Sequence, residues 1–220
     1  ADVAYMASPK VRASMIPTAD ADAFDPYAFI ASYGTLYLVG DASLAAAFEP
    51  LIVALVEELA AAAQHLAAGS PGARLDPPIQ FILDEAASFK IPTLPKLISY
   101  AGGSGLTVIV VLQSLAQAEM AWGREAARTM WGAASLRLVM PGVSDSRELK
   151  DLETLLGEVE LDRESVTVGE GGASRQWSRE SRPVIRAGEI RTLPSTRGLL
   201  LFRRQKPAVL SFRRNVRYVL

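Results

Sequence analysis

Between residues 79 and 112 the chain carries two runs of β-forming apolar residues, and each stops on polar side chains. Ile79-Gln80-Phe81-Ile82-Leu83 runs into Asp84-Glu85, and Leu106-Thr107-Val108-Ile109-Val110-Val111-Leu112 runs into Gln113-Ser114. A run that is mainly apolar without alternation leaves no face for water, so it predicts a strand covered on both sides. Thr35–Val39 and Ser135–Met140 have the same character, and the segments between carry helical spacing. Strands alternating with helices predict an α/β fold, a mostly parallel sheet with helices on both faces.

Punctuation residues set the expected element ends. Val3–Met15 is a helix stopping before Pro17, and Asp20 to Asp25 an acidic loop. Pro26–Ser32 is a short helix with Asp25 as N-cap and proline at its first position. Ser43 caps a long helix that Gly69-Ser70-Pro71-Gly72 stops after Ala68. Helices follow at Thr93–Tyr100, at Leu115–Met130 with a break at Gly123, and at Ser144–Leu156 with Ser144 as cap. Residues 157–181 turn polar around Gly169, Gly171 and Gly172, and predict an exposed loop. Leu199–Phe202 and Ala208–Phe212 flank Arg-Arg-Gln-Lys-Pro and predict a carboxy-terminal β-hairpin at a sheet edge. Residues 1–160 are thus expected to hold the core, and 161–220 a polar loop and basic hairpin packed on the same domain.

Composition removes several kinds of chemistry. The chain has no cysteine, which excludes disulfides, thiol nucleophiles and thiolate metal sites. Its single histidine, His65, sits in an alanine-rich helical run, a poor start for a metal site. The net charge of -1 hides a separation: residues 175–220 carry 12 Lys and Arg against 2 Asp and Glu, and the rest of the chain is acidic. A basic tail of this kind marks a nucleic-acid or acidic-partner surface, or strands paired against an acidic neighbour. Leu44–Ala68 is long enough to span a bilayer, but Glu49, Pro50, Glu57, Glu58 and His65 interrupt it, and a buried helix of a soluble domain is expected.

Asp84 and Glu85 sit where ligands bind in open α/β sheets, at the carboxyl end of a buried strand. Such a pair suits nucleotide hydrolysis: Asp84 holds Mg²⁺ through water, and Glu85 polarises the attacking water. Two acidic residues opening a loop are the plain alternative. Gln113 ends the next strand, where an amide can sense the γ-phosphate if the two strands are neighbours. Ser114 is explained as a helix cap; Gln113 is not.

Three stretches together resemble the TraG/TraD coupling proteins of conjugative type IV secretion: Phe-Ile-Leu-Asp-Glu-Ala-Ala from Phe81, Leu-Pro-Lys-Leu-Ile-Ser-Tyr-Ala-Gly-Gly-Ser-Gly-Leu from Leu94, and Thr-Val-Ile-Val-Val-Leu-Gln-Ser-Leu-Ala-Gln from Thr107. The likeness continues through Trp122-Gly123, Trp131-Gly132-Ala133-Ala134, Ser144-Asp145 and Leu155-Leu156-Gly157, and upstream through Gly34–Leu38. It implies the carboxy-terminal part of a RecA-like motor core over residues 1–160, ATP and Mg²⁺ as cofactors, and a homo-hexamer at the cytoplasmic face of the bacterial inner membrane. It also implies relaxase and relaxosome proteins, single-stranded DNA and the secretion channel as partners.

One departure stands out. None of Lys10, Lys90, Lys96, Lys150 and Lys206 lies in a Gly-x-x-x-x-Gly-Lys-Ser/Thr phosphate loop. The chain, opening on Ala1 rather than methionine, is therefore expected to begin after that loop and after the family's membrane anchor, and to be inactive alone. Arg124, Arg128 and Arg137 are candidate arginine fingers, the first two also fitting a solvated helix face. Arg203, Arg204, Lys206, Arg213 and Arg214 are candidate DNA contacts, or charges guarding a hairpin edge. Gly102-Gly103-Ser104-Gly105 precedes a strand rather than opening a helix, so it predicts a tight turn. Two other functions fit the same residues: a non-catalytic domain docking relaxosome or substrate proteins, and part of a chromosome-segregation-type hexameric DNA pump.

Overall fold

The computed structural model describes residue 9 and residues 23–39, 45–169 and 172–213, with backbone only for 45–48, 165–169 and 172–176. The helix expected over 3–15 apart from residue 9, residues 20–22 of the acidic loop, the Ser43 cap and Arg214 lie outside the described residues. The chain divides into two units between Ala134 and Ser135.

In the first unit, α1 (Pro26–Ala31) starts as its sequence dictates. Asp25 accepts hydrogen bonds from the Tyr27 and Ala28 amides at 2.8 and 3.3 Å, and Pro26 needs no donor partner. Thr35–Val39 does not form the expected strand. Among the described residues nothing pairs with it, and Tyr37 and Val39 are 81% and 93% exposed. β-formers become a strand only when a ladder partner and a surface to cover are both present. Helix α2 (Ala45–Ala68) ends at Gly69 as expected and buries one stripe, Val56, Leu59, Ala60 and Ala63, at helical spacing. Although Glu49–Ala68 is long and apolar enough to cross a membrane, that stripe belongs to a core with Phe81, Ile91, Leu94, Leu97 and Leu106.

β1 (Ile79–Leu83) and β2 (Leu106–Val110) pair in parallel, Ile79 opposite Leu106 and Leu83 opposite Val110. Only one face of the pair is covered: Phe81 and Leu106 are buried, whereas Ile82, Ile109 and Val111 are 64%, 41% and 44% exposed. The expectation of helices on both faces therefore holds for one face among the described residues. α3 (Leu94–Tyr100) and a 3₁₀ turn (Ala101–Ser104) connect the strands. The glycine run is a turn, and Gly105 is its fixed point. Its φ is +78°, and a Cβ there would lie 2.6 Å from the Leu75 carbonyl oxygen. That close approach lets Leu75 donate to Ser104 and Ile79 donate to Gly105, each at 3.1 Å, seating the start of β1 beside β2. α4 (Leu115–Trp122) and α5 (Arg124–Ala133) follow, broken at Gly123.

In the second unit, β3 (Leu136–Val139), β6 (Arg197–Phe202) and β7 (Ala208–Ser211) form an antiparallel sheet in the order β3-β6-β7. The expected terminal hairpin is present as β6–β7. The sheet content is less parallel than expected: β1–β2 is the one parallel pairing among the described strands, because β3 pairs antiparallel with β6. α6 (Ser146–Leu156) is capped by Asp145, not Ser144; its carboxylate accepts from the Arg147 and Glu148 amides at 2.7 and 3.1 Å. Residues 157–181 are no loop. β4 (Glu158–Gly169) and β5 (Gly172–Pro183) form a long antiparallel ribbon. Its first strand opens on the alternation Glu158-Val159-Glu160-Leu161-Asp162, a strand signal masked by the charge and glycine content of the segment, and pairs such as Arg163 with Glu180 at 3.0 Å bridge the two strands. α7 (Ala187–Arg191), which the sequence did not announce, buries Ile190.

Candidate functional site

The β1–β2 ladder does not stop where the strands do. Beyond Val110, the Val111 amide donates to the Leu83 carbonyl at 2.9 Å, and the Ala86 amide donates to the Val111 carbonyl at 3.2 Å. These two bonds bracket Asp84 and Glu85. The acidic pair becomes a two-residue loop standing over the end of β2, and both residues are exposed. Glu85 takes a left-handed backbone, φ 48° and ψ 43°, which a side-chain-bearing residue adopts at a cost of about 1–2 kcal/mol. Its amide lies 3.1 Å from Asp84 Oδ1, so the aspartate side chain folds back on the turn.

Gln113 leaves β2 on the same edge. Its Nε2 lies 3.5 Å from Glu85 Oε1, at the long limit of a hydrogen bond and open to solvent. Asp84, Glu85 and Gln113 are thus brought together at the carboxyl end of two parallel strands. Chemically, the carboxylates can take a cation and a proton, and the amide can donate to an oxygen between them. No cluster of three or more metal-ligating side chains occurs among the described residues.

Two neighbours hold this edge. Ser114 caps α4 by accepting from the Gln117 amide at 3.1 Å, and Gln117 Oε1 accepts from the Gln113 amide at 3.1 Å. Gln117 was not singled out by sequence, although Ser-x-x-Gln before a helix is a capping signature. Trp122 donates from Nε1 to the Ile91 carbonyl at 2.8 Å, which ties the end of α4 to the segment after the acidic loop and uses the indole in packing.

The remaining candidates lie elsewhere in the two units. Arg124 and Arg128 are exposed on α5 and Arg137 is half-buried on β3. Arg203, Arg204 and Lys206 occupy the exposed β6–β7 turn, with the Arg203 guanidinium 5.4 Å from the Phe202 ring centroid. Arg213 is exposed just past β7.

Comparison with solved structures places this fold beside bacterial conjugative coupling proteins. The chain is similar to unbound TrwBdeltaN70 at 22% identity and a TM-score of 0.71, over 86% of this chain and 44% of that one. It is similar at 22% identity to TrwB with the non-hydrolysable ATP analogue ADPNP, TM-score 0.68, and to TrwB with ADP and Mg²⁺, TM-score 0.65; each covers 86% of this chain and 43% of TrwB. The chain therefore spans less than half the length of these relatives. A family model described as the TraM recognition site of TraD and TraG matches residues 78–195, over half of the sequence. The chain belongs to the TraG/TraD coupling-protein family. No curated protein matches it.

Proposed function

We propose that the chain supplies the hydrolytic half of a nucleotide site in a coupling ATPase that moves DNA during conjugation. The observation carrying this is the approach of Gln113 to Glu85, 3.5 Å apart at one end of a parallel strand pair. Mg²⁺ bound with ATP supplies neutralisation of phosphate charge. Asp84 would hold that ion through water, while Glu85 takes the proton of the attacking water and Gln113 donates its amide toward the γ-phosphate and registers its loss. Binding of nucleotide itself needs a phosphate loop that these 220 residues do not contain. TrwB, with a similar fold, is solved with ADPNP and with ADP and Mg²⁺, which supports nucleotide as the ligand.

Residues 1–160 contribute to a RecA-like core, and the full-length protein is a hexamer at the cytoplasmic membrane face. It passes relaxase-linked single-stranded DNA to a type IV secretion channel, with Arg124, Arg128 or Arg137 acting across subunits. Arg203, Arg204, Lys206, Arg213 and Arg214 touch DNA phosphates.

The test is Glu85→Gln in the full-length protein. ATP turnover falls by about a hundredfold or more with KM little changed. Undiminished turnover and DNA transfer would refute the assignment. A second function, docking of a relaxosome protein, is favoured by the description of the matching family model as a TraM recognition site. Pull-down of purified relaxosome DNA-binding proteins by this chain, and its loss on charge reversal in β4–β5, tests that role.

A further inference from the structure

We propose that Gln117 is a positioning residue that sets the distance between Gln113 and Glu85; this rests on the nucleotide-hydrolysis assignment above. In a capping box the third helical residue returns its side chain to the amide of the N-cap residue. Here half of the box is normal, with Ser114 Oγ accepting from the Gln117 amide at 3.1 Å. The other half is shifted by one residue. Gln117 Oε1 reaches past Ser114 and accepts from the Gln113 amide at 3.1 Å. A cap alone has no need of that shift, because Gln113 precedes the helix.

The position of Gln113 depends on that bond. The β1–β2 ladder last holds this strand at Val111, whose amide bonds Leu83 and whose carbonyl accepts from Ala86. The next fixed point is Ser114 at the start of α4, and between them the Gln113 amide is anchored on Gln117. The Gln113–Glu85 approach of 3.5 Å already lies at the long limit of a hydrogen bond, so a shift of this backbone away from the acidic loop weakens it. Half-buried Gln117, through the Gln113 amide, thereby controls whether the amide and carboxylate act on one oxygen.

The test uses the full-length protein. Gln117→Ala lowers kcat for ATP hydrolysis by on the order of tenfold to a hundredfold, the range expected of a misplaced catalytic group, with KM for ATP unchanged. Gln117→Glu keeps an oxygen acceptor and recovers most of the loss. In a Gln113→Ala background, Gln117→Ala costs nothing further. Hydrogen exchange of the Gln113 amide, protected in the wild type and in Gln117→Glu, becomes fast in Gln117→Ala; this readout holds even where the alanine variant is less stable. Wild-type kcat in Gln117→Ala, alongside a dead Glu85→Gln, overturns the inference and leaves the nucleotide site standing. Equal, additive losses in both backgrounds with a lowered Tm reduce Gln117 to a helix cap and also overturn it. Normal turnover in Glu85→Gln instead removes the nucleotide assignment itself.

Discussion

Glu85 should be more stable as glycine than as alanine, the reverse of the usual order. Its φ of 48° and ψ of 43° lie in the left-handed region, where an L side chain costs about 1–2 kcal/mol that glycine does not incur. Against this, glycine gives back about 0.4–1 kcal/mol through its freer unfolded chain. The balance favours Glu85→Gly over Glu85→Ala by about 1 kcal/mol, or roughly 2–4 °C for a chain of this length. Glu85→Asn should fall between them, since asparagine tolerates this backbone better than alanine. Urea unfolding followed by tryptophan fluorescence provides the assay. A Trp177→Phe background leaves Trp122 and Trp131, both in the first unit, as reporters. Glycine should move the midpoint up relative to alanine with no change of slope. If alanine equals or exceeds glycine, Glu85 does not occupy a left-handed turn, and the geometry that presents its carboxylate to Gln113 is wrong. If glycine wins, the chain retains a strained residue where activity needs a carboxylate, as expected where function opposes stability.

Gly105→Ala should destabilise the first unit by about 2–4 kcal/mol, combining left-handed strain with a Cβ driven 2.6 Å from the Leu75 carbonyl; urea midpoints check it. Leu94→Ala, at a residue 0% exposed, should cost about 2–5 kcal/mol by the same measurement, through lost burial and a cavity. The Glu148 and Arg147 amides hold the Asp145 carboxyl below its ordinary 3.8, and Lys150 followed by the Ala187 amide hold that of Glu153 below 4.5. Both contributions are complete above those values and fade as pH falls through the lowered folded ones. Asp145→Asn and Glu153→Gln should therefore narrow the stability gap to wild type only in acid, as read from urea midpoints across that range. Calorimetric titration of ATP into these 220 residues should give no binding heat, since no Gly-Lys-Ser/Thr loop is present; micromolar affinity would contradict that.

Sequence revealed most where backbone propensity and packing agree. Ile79–Leu83 and Leu106–Val110 are strands because their β-branched and aromatic residues have both a ladder partner and, on one face, a core to enter. Their polar ends were legible for the same reason: a ladder that bonds Val111 to Leu83 and Ala86 brings Asp84, Glu85 and Gln113 to one edge. Thr35–Val39 has the same composition and no partner among the described residues, so propensity alone misled. The β4–β5 ribbon failed in the opposite direction. Its pairs, such as Asp162 with Arg179 at 3.5 Å, are charged and exposed, and with the glycines at 169, 171 and 172 they hid the short alternation Glu158–Asp162. Asp145 displaced Ser144 as the α6 cap because its carboxylate reaches two amides at once, a choice that two adjacent capping residues do not settle in sequence. The left-handed Glu85 and the shifted reach of Gln117 arise from the turn between ladder and helix, which no pattern of residue types encodes.

A structure of the full-length protein with Mg²⁺ and a non-hydrolysable ATP analogue addresses the central claim directly. The account predicts Asp84 within one water of the ion, Glu85 facing the site of attack and the Gln113 amide turned to the γ-phosphate. Nucleotide bound away from this strand end, with Asp84 and Glu85 left in bulk solvent, would contradict it.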